Sequence, residues 1–426
     1  MSTGTIIVTA AAHSAALSPL ALVAASLSIV RLFLAIALIG TASSTVFLAL
    51  TLAAGLRNRR IGRAQTKEVA STPVSSLPFI SVLKPVYGAE PRLEENLASF
   101  FLQDYPSFEI IFGCRTPADP AMTVVSRLRE RYPQIPVKVI FSGEPQWPSA
   151  KVWSLEKMIA SASSEFLIIS DSDILVGSDF LRNVVPPLLN PANGLVTCLY
   201  QGVPAPDFWS RLEALGMSVE MPSGVMIADM LEGMQFALGP VLGVRRDALE
   251  KCGGIASTAD YYSDDFVLGN RIFSAGYRVV LSHYRVGHVL SEQSLRHTFA
   301  AQTRWMQSTR YSRPKGHLGT GLTFATPFGL LGLFAAIALG QPALGFALFA
   351  WSLLNRIIQC LAIGYGLIGD PRALTLCWLY PLRDFLGFVV WIASYCGGDS
   401  FHWRGELYRF TNGGRIVSIA RRRIST

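Results

Sequence analysis

Charged residues are scarce in this 426-residue chain: Asp, Glu, Lys and Arg make up only 15% of it, against 50% hydrophobic residues. That balance is too apolar for an ordinary soluble enzyme. The six cysteines (Cys114, Cys198, Cys252, Cys360, Cys377, Cys396) contain no C-x-x-C pair, which argues against both a zinc site and a disulfide framework and fits a reducing setting. There is no G-x-S-x-G elbow and no Cys/His nucleophile arrangement. The six histidines (His13, His283, His288, His297, His317, His402) lack metal-ligand spacing and read as ordinary polar or interfacial residues. A net charge of +8 raises the question of nucleic acid, but no recognition motif accompanies it, so no nucleic-acid partner is expected. The basic residues instead cluster beside apolar runs: Arg57, Arg59, Arg60, Arg63 and Lys67 follow the first one directly, as cytoplasmic topogenic charges do.

The apolar excess is uneven. It lies in the first 56 residues and again in 318–397, leaving a middle of globular composition. From Leu32 to Leu56 no charge interrupts the run, which exceeds the roughly 20 residues a spanning helix needs. The basic cluster on its C-terminal side favours a retained anchor over a cleaved signal peptide. The chain therefore divides into an extension (1–31), an anchor (32–56), a basic linker (57–78), a globular domain (79–317), a membrane or interfacial helical region (318–397) and a basic tail (398–426). The tail arginines Arg415 and Arg421 to Arg423 argue for a cytoplasmic C-terminus, whereas three full crossings by the stretches Leu322–Leu339, Ala343–Ile368 and Ala373–Cys396 would place it outside. These two expectations conflict. Asn355, Arg356, Arg383 and Asp384 lie within those stretches and should face a bundle interior or an aqueous cavity.

In the middle, short apolar runs at 79–83, 109–114, 137–141, 166–170, 195–200 and 238–244 alternate with helical patterns at 92–101, 121–131, 152–161 and 179–188. Such alternation predicts a mostly parallel α/β sheet with its ligand site at the carboxyl ends of the strands. The run Phe166–Ser170 leads straight into Asp171-Ser172-Asp173, where carboxylates spaced D-x-D can hold a divalent cation, Mg²⁺ or Mn²⁺, against a diphosphate. A helix-capping loop is the plainer reading of those residues. A second acidic pair, Asp264-Asp265, opens a helical pattern; N-capping accounts for one carboxylate and leaves the other as a general base for an acceptor hydroxyl. Third comes Gln302-Thr303-Arg304-Trp305, in which Arg suits a diphosphate and Trp a sugar or lipid, or the two form an interfacial belt. The Met-rich stretch 208–238 reads as an amphipathic helix that packs in the core or lines a lipid site.

The order and spacing of these features carry a resemblance. D-x-D, an acidic pair about 90 residues on, Q-x-R-W 37 further, and then a membrane stretch resemble the inverting GT-A glycosyltransferases. The match is nearer still to the ceramide glucosyltransferase family and its bacterial relatives, including hopanoid-associated glycosyltransferases. Ser81-Val-Leu-Lys84-Pro85-Val-Tyr-Gly88, Gln103-Asp-Tyr105-Pro106, Ala118-Asp119-Pro120-Ala121, Gly253-Gly254 and Trp403-Arg404-Gly-Glu-Leu-Tyr408-Arg409 share in it.

The resemblance implies a Rossmann-like GT-A catalytic domain, cytosolic and inserted between an N-terminal transmembrane helix and a C-terminal transmembrane or interfacial region. It also implies an integral membrane protein of the bacterial inner membrane or its equivalent, and inverting transfer of a hexose from a UDP-sugar to a lipid, either ceramide or a hopanoid. Within it, Asp119 would contact the nucleotide, and Asp171 and Asp173 would serve metal and diphosphate. Asp265, with Asp264 beside it, would be the base. Gln302, Arg304 and Trp305 would close over the donor, and Lys84 and Lys151 would reach its phosphates. The segment Glu220-Met221-Pro222 keeps only the Pro of the His-Pro found in eukaryotic members, and Ala301 stands where the usual Q-x-x-R-W has Gln. A processive polysaccharide synthase and a non-catalytic membrane scaffold are the alternatives.

Overall fold

The computed structural model describes residues 19–292, 294–403 and 406–419; residues 1–18, Arg404 and Arg421 to Arg423 lie outside it. An eight-stranded sheet runs in the order β3-β2-β1-β4-β7-β6-β8-β5. Its strands are β1 (Ile80–Pro85), β2 (Phe108–Cys114), β3 (Val137–Phe141), β4 (Phe166–Ser170), β5 (Ile174–Leu175), β6 (Asn193–Val203), β7 (Val241–Arg245) and β8 (Arg278–Val289). The pairs β1/β2, β2/β3, β1/β4 and β6/β8 are parallel, while β7 runs antiparallel to both β4 and β6. The sheet is thus more mixed than the alternating pattern suggested, because β7 enters from the edge at which β4 ends. β8 has no counterpart among the expected strands, since its polar residues hide the alternation.

Side chains alternate across the strands, and each set feeds one of two cores. Ile80, Val82, Ile110 and Phe112 pack with Leu97, Phe100 and Leu128 from helices α2 (Leu93–Phe101) and α3 (Ala121–Arg131). Leu83, Ile111, Leu167 and Ile169 pack on the other face with Val152, Leu155 and Met158 of α4 (Ala150–Ser161). Ser149 caps α4 by accepting from the Val152 N–H at 3.3 Å.

The membrane-type sequence folds around a single long helix, α1 (Pro19–Ser71). Its most apolar part is only 22% buried, so an apolar surface bearing Leu32, Ile39 and Val46 faces no protein. Beyond Leu56 the same helix runs onto the sheet domain, where Arg57 pairs with Asp229 of α5 (Phe208–Glu232) and Gln65 Nε2 donates to the Leu281 carbonyl at 3.0 Å. Met217 and Met226 of α5 are buried, as core packing requires.

Past the acidic-pair helix α6 (Asp264–Ser274) and helix α7 (Leu295–Ser312), the three C-terminal apolar stretches behave differently from one another. The first forms α8 (Thr326–Ala338), 13 residues long; the second forms α9 (Pro342–Gln359), which continues in π-type turns to Ile368. Only the second joins α1 in having the length and hydropathy to cross a bilayer. The third, α10 (Tyr380–Cys396), lies along α7: Arg383 Nη2 donates to Gln302 Oε1 at 2.8 Å and Arg310 Nη1 to the Ser394 carbonyl at 2.8 Å. The ionisable residues of these stretches face one another. Arg356 lies 3.4 Å from Asp384, whose Oδ2 also accepts the Ala325 and Thr326 N–H groups, and Arg383 lies 3.0 Å from Glu220. Finally a three-stranded sheet, β9 (Ser400–Trp403), β10 (Glu406–Thr411) and β11 (Arg415–Ser418), returns to the eight-stranded sheet domain and packs Phe401 and Phe410 against Tyr262.

Asp384 satisfies the start of α8 and the buried Arg356 together. Asp384→Ala should therefore cost about 3–5 kcal/mol, as loss of a buried partner does. Chemical unfolding in detergent reads this directly, and a change below about 1 kcal/mol would show that the pair contributes little.

Candidate active site

Parallel strands that end at one edge bring their terminal residues together there, which is where ligands of open α/β sheets bind. Lys84 ends β1, Asp171 and Asp173 follow β4, Tyr200 and His288 lie near the ends of β6 and β8, and Gly239 precedes β7. The first turn of α6 adds Asp264 and Asp265, as suits the positive end of a helix.

Gly239 shows how closely the two acidic motifs meet. A Cβ at that position would sit 3.1 Å from Asp265 Oδ2 and 3.7 Å from Asp171 Oδ2. Residues almost a hundred apart in sequence thus turn carboxylate oxygens on one point. Lys151, at the start of α4, links the motifs from the other side, with Nζ 2.8 Å from Asp171 Oδ1 and 3.7 Å from Asp264 Oδ2. Burial alone would lower its pKa, but the charges of Asp171 and Asp264 outweigh burial and hold it above the usual lysine range. Lys84 is the opposite case. It is fully buried over the Phe100 ring, 3.8 Å from the centroid, and donates to Ser170 Oγ at 3.2 Å and to the Asp171 carbonyl. Here burial outweighs the attraction of Asp171 and Asp173, and the pKa falls to about 7.

The carboxylates diverge as well. Burial and the neighbouring Asp264 push Asp265 up to about 6, and burial raises Asp264 too. Asp173 is half-buried; the partial loss of water alone would raise its pKa, but His288 Nε2 at 3.2 Å from Asp173 Oδ2 holds it below the ordinary value. Its second oxygen, Oδ1, is buried with no hydrogen-bond partner, a vacancy that a buried polar atom rarely tolerates and that a cation would fill. Among the described residues no group of three or more His, Cys, Asp or Glu side chains could hold a metal on its own. Asp171 and Asp173 therefore offer part of a coordination shell, which suits a hard cation that takes its remaining ligands from phosphate and water.

The other expected residues are placed as follows. Asp119 Oδ1 accepts from the Gly88 N–H at 2.8 Å and the Ala121 N–H at 2.9 Å, fixing the loop after β1 to the start of α3 at the same sheet edge. Gly88 has φ +71°, a backbone state that favours glycine. Arg304 Nε donates to Tyr262 Oη at 2.9 Å, and Tyr262 precedes the acidic pair by two residues. Arg304 thus meets that motif through a tyrosine. Trp305 is 41% exposed. Gln302 does not join the carboxylates; it lines a separate apolar cleft beside Arg383.

His288, read from sequence as an ordinary polar residue, is instead the partner of Asp173, and burial with that carboxylate fixes its place. Tyr262 and Gly239 were also missed. Tyr262 stands beside the acidic pair and was a legible neighbour; Gly239 gave no signal.

Residues 32–416 match the model of glycosyl transferase family 21. The chain belongs to that family. Ceramide glucosyltransferase 1 of Caenorhabditis elegans is 24% identical over 349 residues, covering 81% of this chain and 74% of that protein, and ceramide glucosyltransferase 3 of the same organism is 24% identical over 348 residues, covering 80% and 75%. Among solved structures, the mannosyltransferase PcManGT from Pyrobaculum calidifontis, in complex with GDP-Man and Mn²⁺, is similar with a TM-score of 0.50 at 21% identity, over 83% of this chain and 98% of that one. That likeness shows the GT-A fold. Membership in this family makes the acidic edge of the sheet the place to test for glycosyl transfer. Gly239→Val would push Asp265 and Asp171 apart, and a misplacement of about 1 Å costs about 10²-fold in kcat. An unchanged kcat in a folded variant would show that the two carboxylates do not act at this point.

Proposed function

We propose that this family 21 glycosyltransferase transfers glucose from UDP-glucose to the primary hydroxyl of ceramide, by a single displacement with inversion, at a membrane surface. The observation that carries the reading is the meeting of Asp171 and Asp265 at Gly239, with the pKa of Asp265 pushed up to about 6. A base with a pKa near the working pH is ionised yet strong enough to accept a proton in the transition state. The ceramide glucosyltransferases among its relatives support the donor sugar and the acceptor.

In this reading the Asp265 carboxylate takes the proton of the acceptor hydroxyl. The freed oxygen attacks the anomeric carbon, the bond from that carbon to the phosphate oxygen breaks, and UDP departs. Asp264 keeps Asp265 basic through its charge and holds Lys151 by its own. Lys151 faces the diphosphate and Asp119 positions the nucleotide, whereas Lys84, expected from the sequence to reach the phosphates, is buried over Phe100 and supports Asp171 from beneath. Arg304, anchored by Tyr262, and Trp305 close over the donor. A divalent cation, Mg²⁺ or Mn²⁺, held by Asp173 Oδ1 and Asp171, would neutralise charge on the departing diphosphate.

Helices α1 and α9, each long and apolar enough to cross a bilayer, support a membrane setting. The sheet β9 to β11 rests on the catalytic domain, and α10 lies along α7. We therefore place the basic tail on the side of the catalytic domain, the cytoplasmic face of a bacterial inner membrane or its equivalent, and not across it. The C-terminal helices then make no net crossing: α9 runs back along α8, with Gly329 against Ser352 and Gly345 against Leu333, so both dip in from the same face.

Asp265→Asn should abolish transfer of glucose to ceramide, a loss of at least about 10²-fold, while UDP-glucose binding by calorimetry persists. Retained transfer would remove Asp265 as the base. Because its pKa is raised, Asp265 becomes protonated as pH falls through about 6, so kcat should fall with unit slope below that value and level off above it. A profile that is flat from pH 5 to pH 7 would contradict the assignment. Chelation by EDTA should stop transfer and added Mn²⁺ or Mg²⁺ restore it; full activity in EDTA would sink the cation's role.

A further inference from the structure

Two side chains of α7 that lie one helical turn apart, Arg304 and Ser308, both meet the segment that leads into the acidic pair. Arg304 Nε donates to Tyr262 Oη at 2.9 Å, and Ser308 Oγ lies 3.0 Å from Ser263 Oγ. Residues four apart share a face of a helix, so these two contacts seat one edge of α7 on Tyr262 and Ser263.

The C-terminal sheet grips the same two elements from outside. The Tyr262 ring packs against Phe401 and Phe410, with centroids 5.3 and 5.4 Å away, and its backbone N–H donates to the Gly414 carbonyl at 3.2 Å. Helix α7 meets the sheet through Tyr311, stacked on Phe410 at 5.3 Å, and through Ser312, whose Cβ would lie 2.9 Å from a Cβ on Gly414. Gly414 has φ +79°, so the turn at this close approach needs a glycine for its backbone as well as for its space. One small sheet therefore holds both partners of the Arg304–Tyr262 contact.

What that contact does to Arg304 follows from the shape of a guanidinium. The group has a side edge that includes Nε and an end edge made of Nη1 and Nη2, and either can fork onto two oxygens. Tyr262 occupies Nε, and among the described residues no acceptor lies within hydrogen-bond distance of Nη1 or Nη2. Only the end edge is left for a ligand. Because the sheet fixes the phenol, the direction of that edge is set before a ligand arrives, and a fork held in place loses less side-chain entropy on binding.

We propose that Tyr262 is the positioning residue for Arg304: it engages Nε, turns the Nη1–Nη2 edge toward the diphosphate of the donor, and is itself kept in place by the sheet β9 to β11. This rests on the transferase reading, in which Arg304 closes over the donor. It adds a residue that acts through Arg304, and it gives the C-terminal sheet a part in donor binding.

The test uses the full chain in lipid nanodiscs, with calorimetric binding of UDP-glucose and steady-state transfer to ceramide. Tyr262→Phe removes the hydroxyl and keeps the ring against Phe401 and Phe410, so the thermal unfolding midpoint should hold. Its Kd and KM for UDP-glucose should rise about tenfold, the scale of one lost hydrogen bond to a charged group, while the KM for ceramide stays unchanged. In an Arg304→Ala background the same substitution should add nothing, because the hydroxyl acts only through that guanidinium. A folded Phe410→Ala variant, which loosens the ring and leaves the hydroxyl, should also bind UDP-glucose more weakly. An unchanged donor Kd in Tyr262→Phe, or an equal loss with and without Arg304, would overturn the proposal, and unchanged donor binding in folded Phe410→Ala would remove the sheet from it. Transfer to ceramide by a Tyr262→Phe variant with an unaltered donor Kd would overturn the positioning role and leave the transferase reading standing. Weakened UDP-glucose binding in Tyr262→Phe, of a protein that makes no glucosylceramide, would do the reverse.

Discussion

Four carboxylates, those of Asp171, Asp173, Asp264 and Asp265, are gathered at one sheet edge, and the surrounding structure is arranged to tolerate them. Like charges that close together repel strongly once removed from water. The chain answers with two lysines and a histidine. Lys151 bridges Asp171 and Asp264, His288 holds Asp173, and Lys84 lies buried beneath Asp171. The compensation is incomplete, because burial takes Lys84 down to about 7 and leaves Asp173 Oδ1 without a partner. An acidic edge with unspent negative charge is what a cation bearing a diphosphate would bind.

That constraint explains the order of the elements. β1 and β4 must end side by side for Lys84 to lie under Asp171, and they pair in parallel through Leu83 and Ile169. β7 must start at the same edge to bring Gly239 between the two acidic motifs, so it runs antiparallel to β4. The helix that carries Asp264 and Asp265 is approached through Tyr262, which the C-terminal sheet clamps from outside: the Tyr262 N–H donates to the Gly414 carbonyl at 3.2 Å and the Ile416 N–H to the Asp260 carbonyl at 2.7 Å. The distant tail is thus part of the support for the acidic pair. Membrane-type helices and catalytic domain are joined in the same way, since α1 leaves its apolar surroundings and continues as a rib of the catalytic domain.

Much of this was legible from the chain because its physical signals are local. An apolar run that ends in D-x-D marks a strand and what lies at its end, and the structure places β4 at Phe166–Ser170 accordingly. The helices 93–101 and 121–131 likewise follow their periodicity. What stayed hidden depends on partners far apart in sequence. His288 looked ordinary because only the parallel pairing of β6 with β8 brings it near Asp173. Gln302 looked like a neighbour of Arg304, yet the helical period turns successive residues of α7 to different faces, one toward Arg383 and the other toward Tyr262. The three C-terminal apolar stretches looked alike in hydropathy; what separates them is the pairing of Arg383 with Glu220 and of Asp384 with Arg356, which ties α10 to its neighbours.

The central claim is a direct displacement at this acidic edge, with the acceptor oxygen arriving on the face opposite the leaving diphosphate. Its most direct measurement is the anomeric configuration of the glycolipid made from UDP-α-glucose, read from the coupling of the anomeric proton by NMR. The account predicts a β-linked product. An α-linked product would contradict it, because retention would need a covalent intermediate or a front-side path for which Asp265 is not the proton acceptor described.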